Sequence, residues 1–479
     1  MHEDALRELQ QILPPDRLQT GEEARYRASM DNLRFSRLPS AVLRPQDEDE
    51  VGAILRLANA HQVPLTTRGA GSATTGAATP TADGWVLDLS GWTQLHIERE
   101  ASIAYAQPGV TVEALDAAAR AEGLFYPPDP GSKKYATLGG TLACNAGGLR
   151  GAKYGVTRDY VLGLEGFLPT GEFVRWGSNL RKFASGYNIR DLWIGSEGTL
   201  GVITGAILKL LPAPPARTTL LASFAHEQAA LETVRAILGA HMNPSILEFL
   251  DAATVGCFRT APAGHEAPEW LRTLLDGPLL LIEFDGHAAE VREHSIALES
   301  LLRQAGAPFR ATEEATEAEE LWRVRRGCSQ AMFQLGNTKL NEDVVVPLEG
   351  QRPLLEFVHR LSEETGLACP TFGHAADGNF HVHIMYNAED AGARARAEAG
   401  LQRLMEEVVR LGGAITGEHG IGLAKSPFLA LQHSPEEIHL MQKLKDAFDP
   451  RGILNPGKIF EPFRVWEYPR EQVRLPWDH

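Results

Sequence analysis

Cysteine and positive charge are both scarce in this sequence of 479 residues. The cysteines, Cys144, Cys257, Cys328 and Cys369, include no CxxC pair, so an iron–sulfur cluster or a zinc ribbon built on cysteine is not supported. They are also too few and too scattered for a disulfide framework. The 46 Lys and Arg residues against 62 Asp and Glu residues give a formal net charge of −16. This charge argues against non-specific binding to nucleic acid or to an anionic membrane.

Long apolar runs and targeting segments are lacking as well. The best candidate for a membrane span, residues 192–211, carries Glu197 and four glycines, so we predict no transmembrane segment. The N-terminal residues are acidic and amphipathic rather than basic and then apolar, so no secretory signal is predicted. We therefore expect a cytoplasmic protein, with peripheral attachment to the inner membrane as the alternative.

The length predicts two to four domains. Short apolar strands and amphipathic helices alternate from Pro39 onward, and the proline cluster at 212–216 is the best linker candidate. We predict four parts, which are a helical segment at 1–38, a first domain at 39–214, a second domain at 215–415 and a C-terminal segment at 416–479.

Glycine is abundant in the first domain. The loop at 68–76 offers consecutive backbone N–H groups that can wrap a diphosphate, although alone it fits an ordinary turn equally well. It lacks the GKS or GKT of a Walker A loop and the GxGxxG pattern of a nicotinamide site. Further glycine-rich segments follow at 127–148, 153–155 and 193–204. Because glycines cost backbone entropy on folding, this density indicates a backbone that lies close to a ligand at several points.

Taken in this order, the segments resemble the FAD-binding domain of the vanillyl-alcohol oxidase and p-cresol methylhydroxylase (PCMH) superfamily, over about residues 39–212. The resemblance implies that 68–73 wraps the pyrophosphate, that 127–148 lines the ribityl chain and isoalloxazine ring, and that 197–203 passes near the adenine. The loop at 68–76 contains no histidine, so non-covalent FAD is expected. The residues that the resemblance assigns to FAD are Arg68, Gly69, Ala70, Gly71, Ser72, Ala73, Pro128, Asp129, Ser132, Thr137, Gly139, Gly140, Asn145, Gly147, Gly148, Tyr154, Gly155, Glu197, Gly198, Gly201, Ile203 and Asn455.

Three histidines cluster in the stretch HAADGNFHVHIM of the second domain. From residue 380 onward, apolar residues alternate with His381 and His383, which predicts a strand with both histidines on one face. The turn at 375–379 can fold His374 back toward His381. Two converging histidines invite a divalent metal, which would need one further anionic ligand. The alternative is a pair of histidines at a strand end near solvent.

A third ligand is available in the stretch TGEHGIG. Glu418 and His419 are neighbours, and neighbouring side chains in extended backbone point in opposite directions. One could therefore bind a metal while the other serves as a base, whereas a lone Glu-His pair would be an ordinary surface feature.

The two histidine motifs, placed behind the FAD domain, resemble the group that contains D-lactate dehydrogenases, glycolate oxidase catalytic subunits and D-2-hydroxyglutarate dehydrogenases. This resemblance covers about residues 20–460. It implies that His374, His381 and Glu418 bind a divalent metal, for which zinc is favoured over manganese and iron. It also implies that His419 is the general base.

The same resemblance assigns residues to the substrate. Arg325, in the segment LWRVRR, would hold the substrate carboxylate, and Lys339 would supply a second cation. Ser329 would lie near the substrate hydroxyl. His383 stands where some relatives have Asn, and Asn341 where Asp is common, so the roles of these two residues stay open.

The predicted fold class is α+β, with a PCMH-type FAD-binding domain of two α+β subdomains and a C-terminal cap domain that has an antiparallel sheet flanked by helices. The expected function is FAD-dependent oxidation of a small D-2-hydroxy acid, such as D-lactate or glycolate, by hydride transfer to the flavin. Electrons would pass to a quinone, a cytochrome or an electron-transferring flavoprotein. The protein would form a homodimer or belong to a multi-subunit oxidase complex. The alternatives are a D-2-hydroxyglutarate dehydrogenase, a flavin transferase similar to alkylglycerone-phosphate synthase, and a non-catalytic FAD subunit.

Overall fold

A computed structural model of the protein describes residues 3–471, 473 and 475, so the outer ends of the predicted segments 1–38 and 416–479 lie outside the described residues. The chain divides into two compact units. Unit 1 comprises Met1–Gly148, Gly155–Ala213 and Glu418–His479, and unit 2 comprises Leu149–Tyr154 and Pro214–Gly417.

Unit 1 contains three sheets among its described residues. Four strands form the order β1-β2-β4-β3, in which β2, β4 and β3 are parallel and β1 is antiparallel. Five antiparallel strands form the order β5-β6-β10-β8-β9, and β7 pairs with β11. The strands are β1 Leu18–Gln19, β2 Ala41–Leu43, β3 Leu65–Arg68, β4 Trp85–Asp88, β5 Leu95–Glu98, β6 Ile103–Ala106, β7 Leu124–Phe125, β8 Val161–Phe167, β9 Phe173–Gly177, β10 Val202–Lys209 and β11 Leu211–Pro212.

The helices of unit 1 cover these sheets. In helix Glu48–His61 the Asp47 side chain accepts a hydrogen bond from the Glu50 N–H at 2.9 Å and so caps the first turn. The apolar side chains of this helix, such as Ile54 and Leu55, are fully buried in one core with Trp85. The helices are Glu3–Ile12, Glu22–Arg27, Glu48–His61, Val112–Ala121, Leu138–Cys144, Ile189–Trp193, Leu429–Gln432 and Pro435–Phe448, with 3₁₀ turns at Thr157–Tyr160, Ser426–Phe428 and Val465–Glu467.

The N-terminal segment is less uniformly helical than its sequence suggests. Its first helix ends at Ile12, immediately before Leu13 and the pair Pro14-Pro15, because proline cannot continue a helix. The chain then forms β1, which pairs with β2, and the second helix spans only Glu22–Arg27. This segment is thus part of the first sheet of unit 1.

Unit 2 is built on a single antiparallel sheet within its described residues. The strand order is β15-β12-β14-β13-β17-β18-β16, so strands that are distant in sequence lie side by side. The strands are β12 Ala216–Ser223, β13 Ile246–Leu250, β14 Leu279–Gly286, β15 Phe309–Thr312, β16 Thr338–Val345, β17 Thr371–His374 and β18 Asn379–Tyr386.

Helices lie on both faces of this sheet, which confirms the predicted antiparallel sheet flanked by helices. Helices Ala252–Thr260 and Ala315–Ala331 share a core with Phe372 and Met385, while Ala391–Arg410 contacts β18. As a result, all residues of β18 are buried. The helices are Gly151–Tyr154, Glu227–Gly239, Ala252–Thr260, Pro262–His265, Glu269–Arg272, Ala288–Gln304, Ala315–Ala331, Gln351–Thr365 and Ala391–Arg410, with 3₁₀ turns at Met332–Gln334 and Leu348–Gly350.

None of the helices in the described residues is long and apolar enough to cross a membrane. The apolar stretch at 192–211 instead ends the short helix Ile189–Trp193 and then forms β10.

Candidate active site

The loop that follows β3 presents a run of backbone N–H groups. No described residue accepts a hydrogen bond from the N–H groups of residues 69–73. Gly71 has a φ of +73°, a conformation that turns successive N–H groups toward one side. Arg68 does not share this role, because its Nη1 donates to the Met30 carbonyl at 2.8 Å. The loop therefore fits a pyrophosphate through its backbone rather than through an arginine charge.

A polar side chain lies directly against this loop. A Cβ atom on Gly69 would stand 2.1 Å from the Thr137 Oγ1, so the glycine permits a close approach of the two segments. The Thr137 Oγ1 is buried and has no hydrogen-bond partner among the described residues. A phosphate oxygen of FAD would satisfy this hydroxyl, so the residues present fit the cofactor.

The segment 127–148 closes on itself. Gly148 has a φ of +142°, and a Cβ atom there would stand 2.2 Å from the Asp129 carbonyl oxygen. A Cβ atom on Gly147 would stand 2.9 Å from the Glu418 Oε2. The segment predicted to line the isoalloxazine ring thus lies beside Glu418 in unit 1.

Replacement of Gly148 by alanine is expected to lower the FAD content of the purified protein and to destabilise it by about 1–3 kcal/mol. The added methyl group meets backbone rather than a movable side chain, so the loop must shift. Flavin absorbance per protein and thermal unfolding would measure both effects. Gly131→Ala is the matched control in the same segment, because a Cβ atom there meets nothing within 4 Å. Equal FAD content in the two variants would contradict this prediction.

Glu197 connects three chain segments of unit 1. Its carboxylate accepts hydrogen bonds from the Ile421 N–H at 2.7 Å and the Gly422 N–H at 2.8 Å. Its backbone carbonyl accepts from the Asn455 Nδ2 at 2.7 Å. Burial raises the pKa of the Glu197 carboxyl to about 7, although the two backbone N–H groups oppose this. Glu197 and Asn455 also adopt positive φ values, of 54° and 42°, which residues other than glycine rarely do. Backbone strain of this kind clusters at ligand sites.

The other residues assigned to FAD lie in or beside these segments, with one exception. Tyr154 belongs to unit 2, where its hydroxyl donates to the Asp285 Oδ1 at 2.8 Å. The rest are in unit 1, namely Pro128, Asp129 and Ser132 in the loop after β7, Gly139 and Gly140 in helix Leu138–Cys144, Asn145 at its C-cap, Gly155 ahead of the 3₁₀ turn, Gly198 and Gly201 before β10, and Ile203 within β10.

In unit 2, strands β17 and β18 bring two histidines together. β17 ends at His374, and the turn returns the chain so that Phe372 pairs with His381. The two imidazole rings stand at 88° to each other with centroids 5.4 Å apart, and a nitrogen of one lies within 4.8 Å of a nitrogen of the other. Both side chains are buried. The predicted convergence of His374 and His381 is therefore present, in the interior rather than at a solvent-exposed strand end.

Glu248 on β13 joins His374 to Arg325, the predicted carboxylate-binding residue. Its side chain is fully buried, one oxygen is hydrogen-bonded to the His374 Nδ1, and the other accepts from the Arg325 Nε at 2.5 Å. Burial raises the pKa of Glu248, but His374 and Arg325 outweigh it and lower the pKa to about 2. Because Glu248 engages Nδ1, Nε2 is the nitrogen with which His374 can ligate a metal. A carboxylate behind a histidine in this way is the usual support of a metal ligand.

Asp343 on β16 supports the second histidine and the chain that follows the sheet. The Asp343 Oδ1 lies 4.0 Å from the His381 Nδ1 and accepts a hydrogen bond from the Asn379 Nδ2 at 2.6 Å. Its other oxygen accepts from the Gly417 N–H at 2.8 Å. Gly417, the residue immediately before Glu418, is thus bonded to the same carboxylate that lies near His381.

Arg325 and Ser329 are four residues apart on helix Ala315–Ala331 and therefore share a face. The Arg325 guanidinium carbon lies 4.0 Å from the centre of the Phe372 ring, and only its Nε has an acceptor among the described residues. Its terminal NH₂ groups can therefore hold a carboxylate. The Lys339 Nζ donates to the Ser329 Oγ at 2.7 Å, so the three predicted substrate residues belong to one face of the cap sheet.

His383 packs beside these cations as a buried imidazole. Its ring lies 4.9 Å from the Phe372 ring, and its Nδ1 lies 3.2 Å from the Pro370 carbonyl. Burial, followed by the charge of Lys339, holds the pKa of His383 well below its usual value, so the ring is neutral. Asn341 pairs with His383 across the sheet, and its buried Oδ1 has no hydrogen-bond partner among the described residues.

If His374 ligates a metal, Glu248→Gln is expected to weaken the binding of that metal by about 10–100-fold, the usual effect of losing such a supporting carboxylate. Metal content after dialysis against a graded chelator series would measure it. Glu283→Gln is the matched control, since Glu283 is a buried glutamate on the adjacent strand β14 whose side chain bonds Thr219 and not a histidine. Equal metal retention in both variants would contradict the role of Glu248.

Two comparisons with known proteins place the chain. A family model described as "FAD linked oxidases, C-terminal domain" matches residues 213–459, and one described as "FAD binding domain" matches residues 39–177. The chain belongs to the FAD-linked oxidases. This FAD-linked oxidase is 38% identical over 460 residues to the glycolate oxidase subunit GlcD of Bacillus subtilis (strain 168). The matched region covers 95% of this chain and 97% of GlcD. It is 34% identical over 454 residues to a D-lactate dehydrogenase of Anaerostipes hadrus, with coverages of 93% and 95%.

The fold of this FAD-linked oxidase is shared with p-cresol methylhydroxylase. The structure of p-cresol methylhydroxylase with substrate bound superimposes with a TM-score of 0.80 at 17% identity and covers 96% of this chain and 97% of that one. The predicted family, the predicted fold class and the predicted cofactor, FAD, are thereby confirmed, and the protein is an oxidoreductase.

Proposed function

We propose that this FAD-linked oxidase converts a small D-2-hydroxy acid, such as D-lactate or glycolate, into the 2-oxo acid, with non-covalent FAD and a divalent metal, and passes the electrons to an acceptor other than oxygen. Its relatives, a glycolate oxidase subunit and a D-lactate dehydrogenase, support this substrate class. The observation that carries the proposal is the chain of contacts Arg325–Glu248–His374, in which Glu248 and His374 are buried and Arg325 is partly exposed. It would join a carboxylate-binding group to a histidine suited to metal binding.

Arg325 is the proposed anchor of the substrate. Its terminal NH₂ groups form a fork that matches a carboxylate in two parallel hydrogen bonds, and Glu248 fixes the orientation of that fork through Nε. Lys339 adds a second positive charge, and Ser329 lies next to it as a hydroxyl partner. These contacts would fix which face of the substrate α-carbon is presented to the flavin.

His374, His381 and Glu418 are the proposed metal ligands, with zinc favoured over manganese and iron. Two imidazole nitrogens and one carboxylate oxygen form a common donor set for a catalytic divalent metal. When bound, such a metal polarises the substrate hydroxyl and lowers its pKa. Glu248 is hydrogen-bonded to His374, and the Asp343 Oδ1 lies 4.0 Å from the His381 Nδ1. The other Asp343 oxygen accepts from the Gly417 N–H immediately ahead of Glu418.

His419 is the proposed general base. Its backbone carbonyl accepts a hydrogen bond from the Thr75 Oγ1 at 3.3 Å, which ties it to the loop that presents the free N–H groups. The imidazole would take the proton of the substrate hydroxyl as the C–O bond becomes a carbonyl. When bound, FAD would supply the acceptor for the hydride from the α-carbon.

The test is anaerobic reduction of the purified yellow protein by single substrates, followed through the flavin absorbance. D-lactate and glycolate are expected to bleach the flavin, whereas L-lactate should not, because Arg325 and His419 would select one face of the α-carbon. Faster bleaching by D-2-hydroxyglutarate would reassign the substrate to a larger acid. A protein that none of these acids bleaches would refute the proposal.

A further inference from the structure

The loop between β9 and helix Ile189–Trp193 differs in character from the rest of the surface of unit 1. Residues 178–188, named here the basic aromatic loop, form no helix or strand, and every residue from 179 to 188 is exposed. Leu180 and Phe183 are 58% and 54% exposed, and Tyr187 is 95% exposed. Three large apolar side chains within eight residues are thus held in water, which costs free energy in proportion to their area.

The charge of this stretch is opposite to the net charge of the chain, which disfavours non-specific membrane binding, so attraction to an anionic surface must be local to this stretch. Residues 173–190 contain Arg175, Arg181, Lys182 and Arg190 but no Asp or Glu, although the chain carries a formal net charge of −16. Arg175 pairs with Glu165, and Arg190 pairs with Asp191. Arg181 and Lys182, in the loop itself, have no ion-pair partner among the described residues.

The loop is fixed at its ends and open between them. The Asn179 Nδ2 donates to the Tyr105 hydroxyl at 3.4 Å, and the Asn188 Nδ2 donates to the Asp191 Oδ2 at 2.7 Å. Gly186 between them has a φ of +95°, and a Cβ atom there would meet nothing within 4 Å. The apolar and basic side chains therefore belong to an anchored tip that is exposed along its whole length.

We infer that the basic aromatic loop docks on an anionic phospholipid surface, with Leu180, Phe183 and Tyr187 in the headgroup region and Arg181 and Lys182 against the lipid phosphates. Aromatic and leucine side chains next to lysine and arginine are the composition of interfacial membrane anchors. A specific protein partner would need about 800 Å² of complementary surface on each side, which an eleven-residue loop without secondary structure does not provide. Insertion into a lipid interface needs no such preformed shape.

Membrane docking would also fit an enzyme that hands electrons to a lipid-soluble acceptor, but the inference does not depend on the proposed substrate. The loop is separate in sequence from Arg325, His374 and His419. Lipid binding can therefore be measured whether or not any 2-hydroxy acid is oxidised.

The experiment is flotation of the holoprotein with phosphatidylcholine vesicles that either contain or lack phosphatidylglycerol. The wild-type protein is expected to float with the anionic vesicles, to remain unbound with the neutral ones, and to bind less as salt is raised to about 0.5 M. The double variant Phe183→Ser/Tyr187→Ser should lose about tenfold or more in binding, and so should Arg181→Gln/Lys182→Gln.

Two controls separate this surface from general changes in hydrophobicity and charge. Leu440→Ser removes an apolar side chain of unit 1 that is 61% exposed outside the loop, and Arg99→Gln/Lys443→Gln removes the same charge as the basic double variant. Both controls should bind like the wild type, and flavin content should be unchanged in every variant. Failure of the wild type to bind anionic vesicles, or equal binding by the loop variants and the controls, would overturn the inference.

Discussion

Replacement of His419 by glutamine is expected to reduce kcat roughly 10²–10⁴-fold, the usual contribution of a positioned general base. Glutamine keeps the size and polarity of the side chain but cannot take up a proton near neutral pH. The His419 backbone carbonyl accepts a hydrogen bond from Thr75 and Gly420 follows it, so a change of the side chain should leave the fold intact. The rate of anaerobic flavin bleaching at saturating D-lactate is the direct measurement, because it isolates the step that precedes electron transfer to the acceptor.

A distinct signature separates loss of a base from loss of structure. The His419→Gln protein should retain its FAD absorbance, and its residual rate should rise with pH, because hydroxide can then take the substrate proton. His439→Gln changes a histidine on helix Pro435–Phe448 outside the proposed site and should bleach at the wild-type rate. Wild-type bleaching by His419→Gln would assign proton removal to another group.

Arg325→Lys is expected to lower kcat/KM for D-lactate about 10²–10³-fold. Lysine keeps the positive charge beside Glu248 but loses the planar fork, so that the paired charge-assisted hydrogen bonds to the substrate carboxylate, each worth about 1.5–3 kcal/mol, are no longer both made. Steady-state kinetics with a soluble dye as acceptor would measure the loss. Affinity for the 2-oxo acid product, read from changes in flavin absorbance, should fall in parallel.

The matched control for Arg325 lies on the same helix. Arg323 pairs with Glu266 on the exposed side, so Arg323→Lys should leave both kcat/KM and product affinity unchanged. Arg325→Met should be worse than Arg325→Lys, because it removes one of the two partners of the fully buried Glu248 and so also destabilises the fold. Equal kinetics for the Lys variants at 323 and 325 would remove Arg325 from the substrate site.

The sequence predicted the site residues that lie close together in the chain, but it did not predict the distant residue that is hydrogen-bonded to His374. His374 and His381 are seven residues apart, and one turn between two strands is enough to bring them together. Glu248 lies 126 residues before His374, and only the pairing of β13 with β17 places them side by side. Long-range register of this kind cannot be read from local patterns. A signal was nevertheless present, since Glu248 stands in the apolar strand Ile-Leu-Glu-Phe-Leu, and buried glutamates almost always have a partner.

The alternation in β18 was predicted correctly, but its consequence was not fully visible. Alternating apolar and polar residues usually mark a strand with one solvent-exposed face. Here the face of His381 and His383 also carries Met385, which belongs to the core formed with helix Ala315–Ala331, the helix that supplies Arg325. Polar residues are buried on this face because their partners come from another element. Similarly, the glycine-rich pattern gave no indication that Leu149–Tyr154 belongs to unit 2 while its flanks belong to unit 1.

The composition of unit 1 from three separate stretches bears on how the protein is made. Asn455 contacts Thr66, Ala77 and Glu197. Leu454 forms a β-bridge with Leu65, the first residue of β3. A ribosome must therefore synthesise all of unit 2 before the last stretch of unit 1 becomes available. Until then the nascent first half lacks Ile453 and Leu454, which are part of its own core, so apolar side chains of that core stay exposed. A chain truncated before Glu418 would remain in that incomplete state however long it were given to fold.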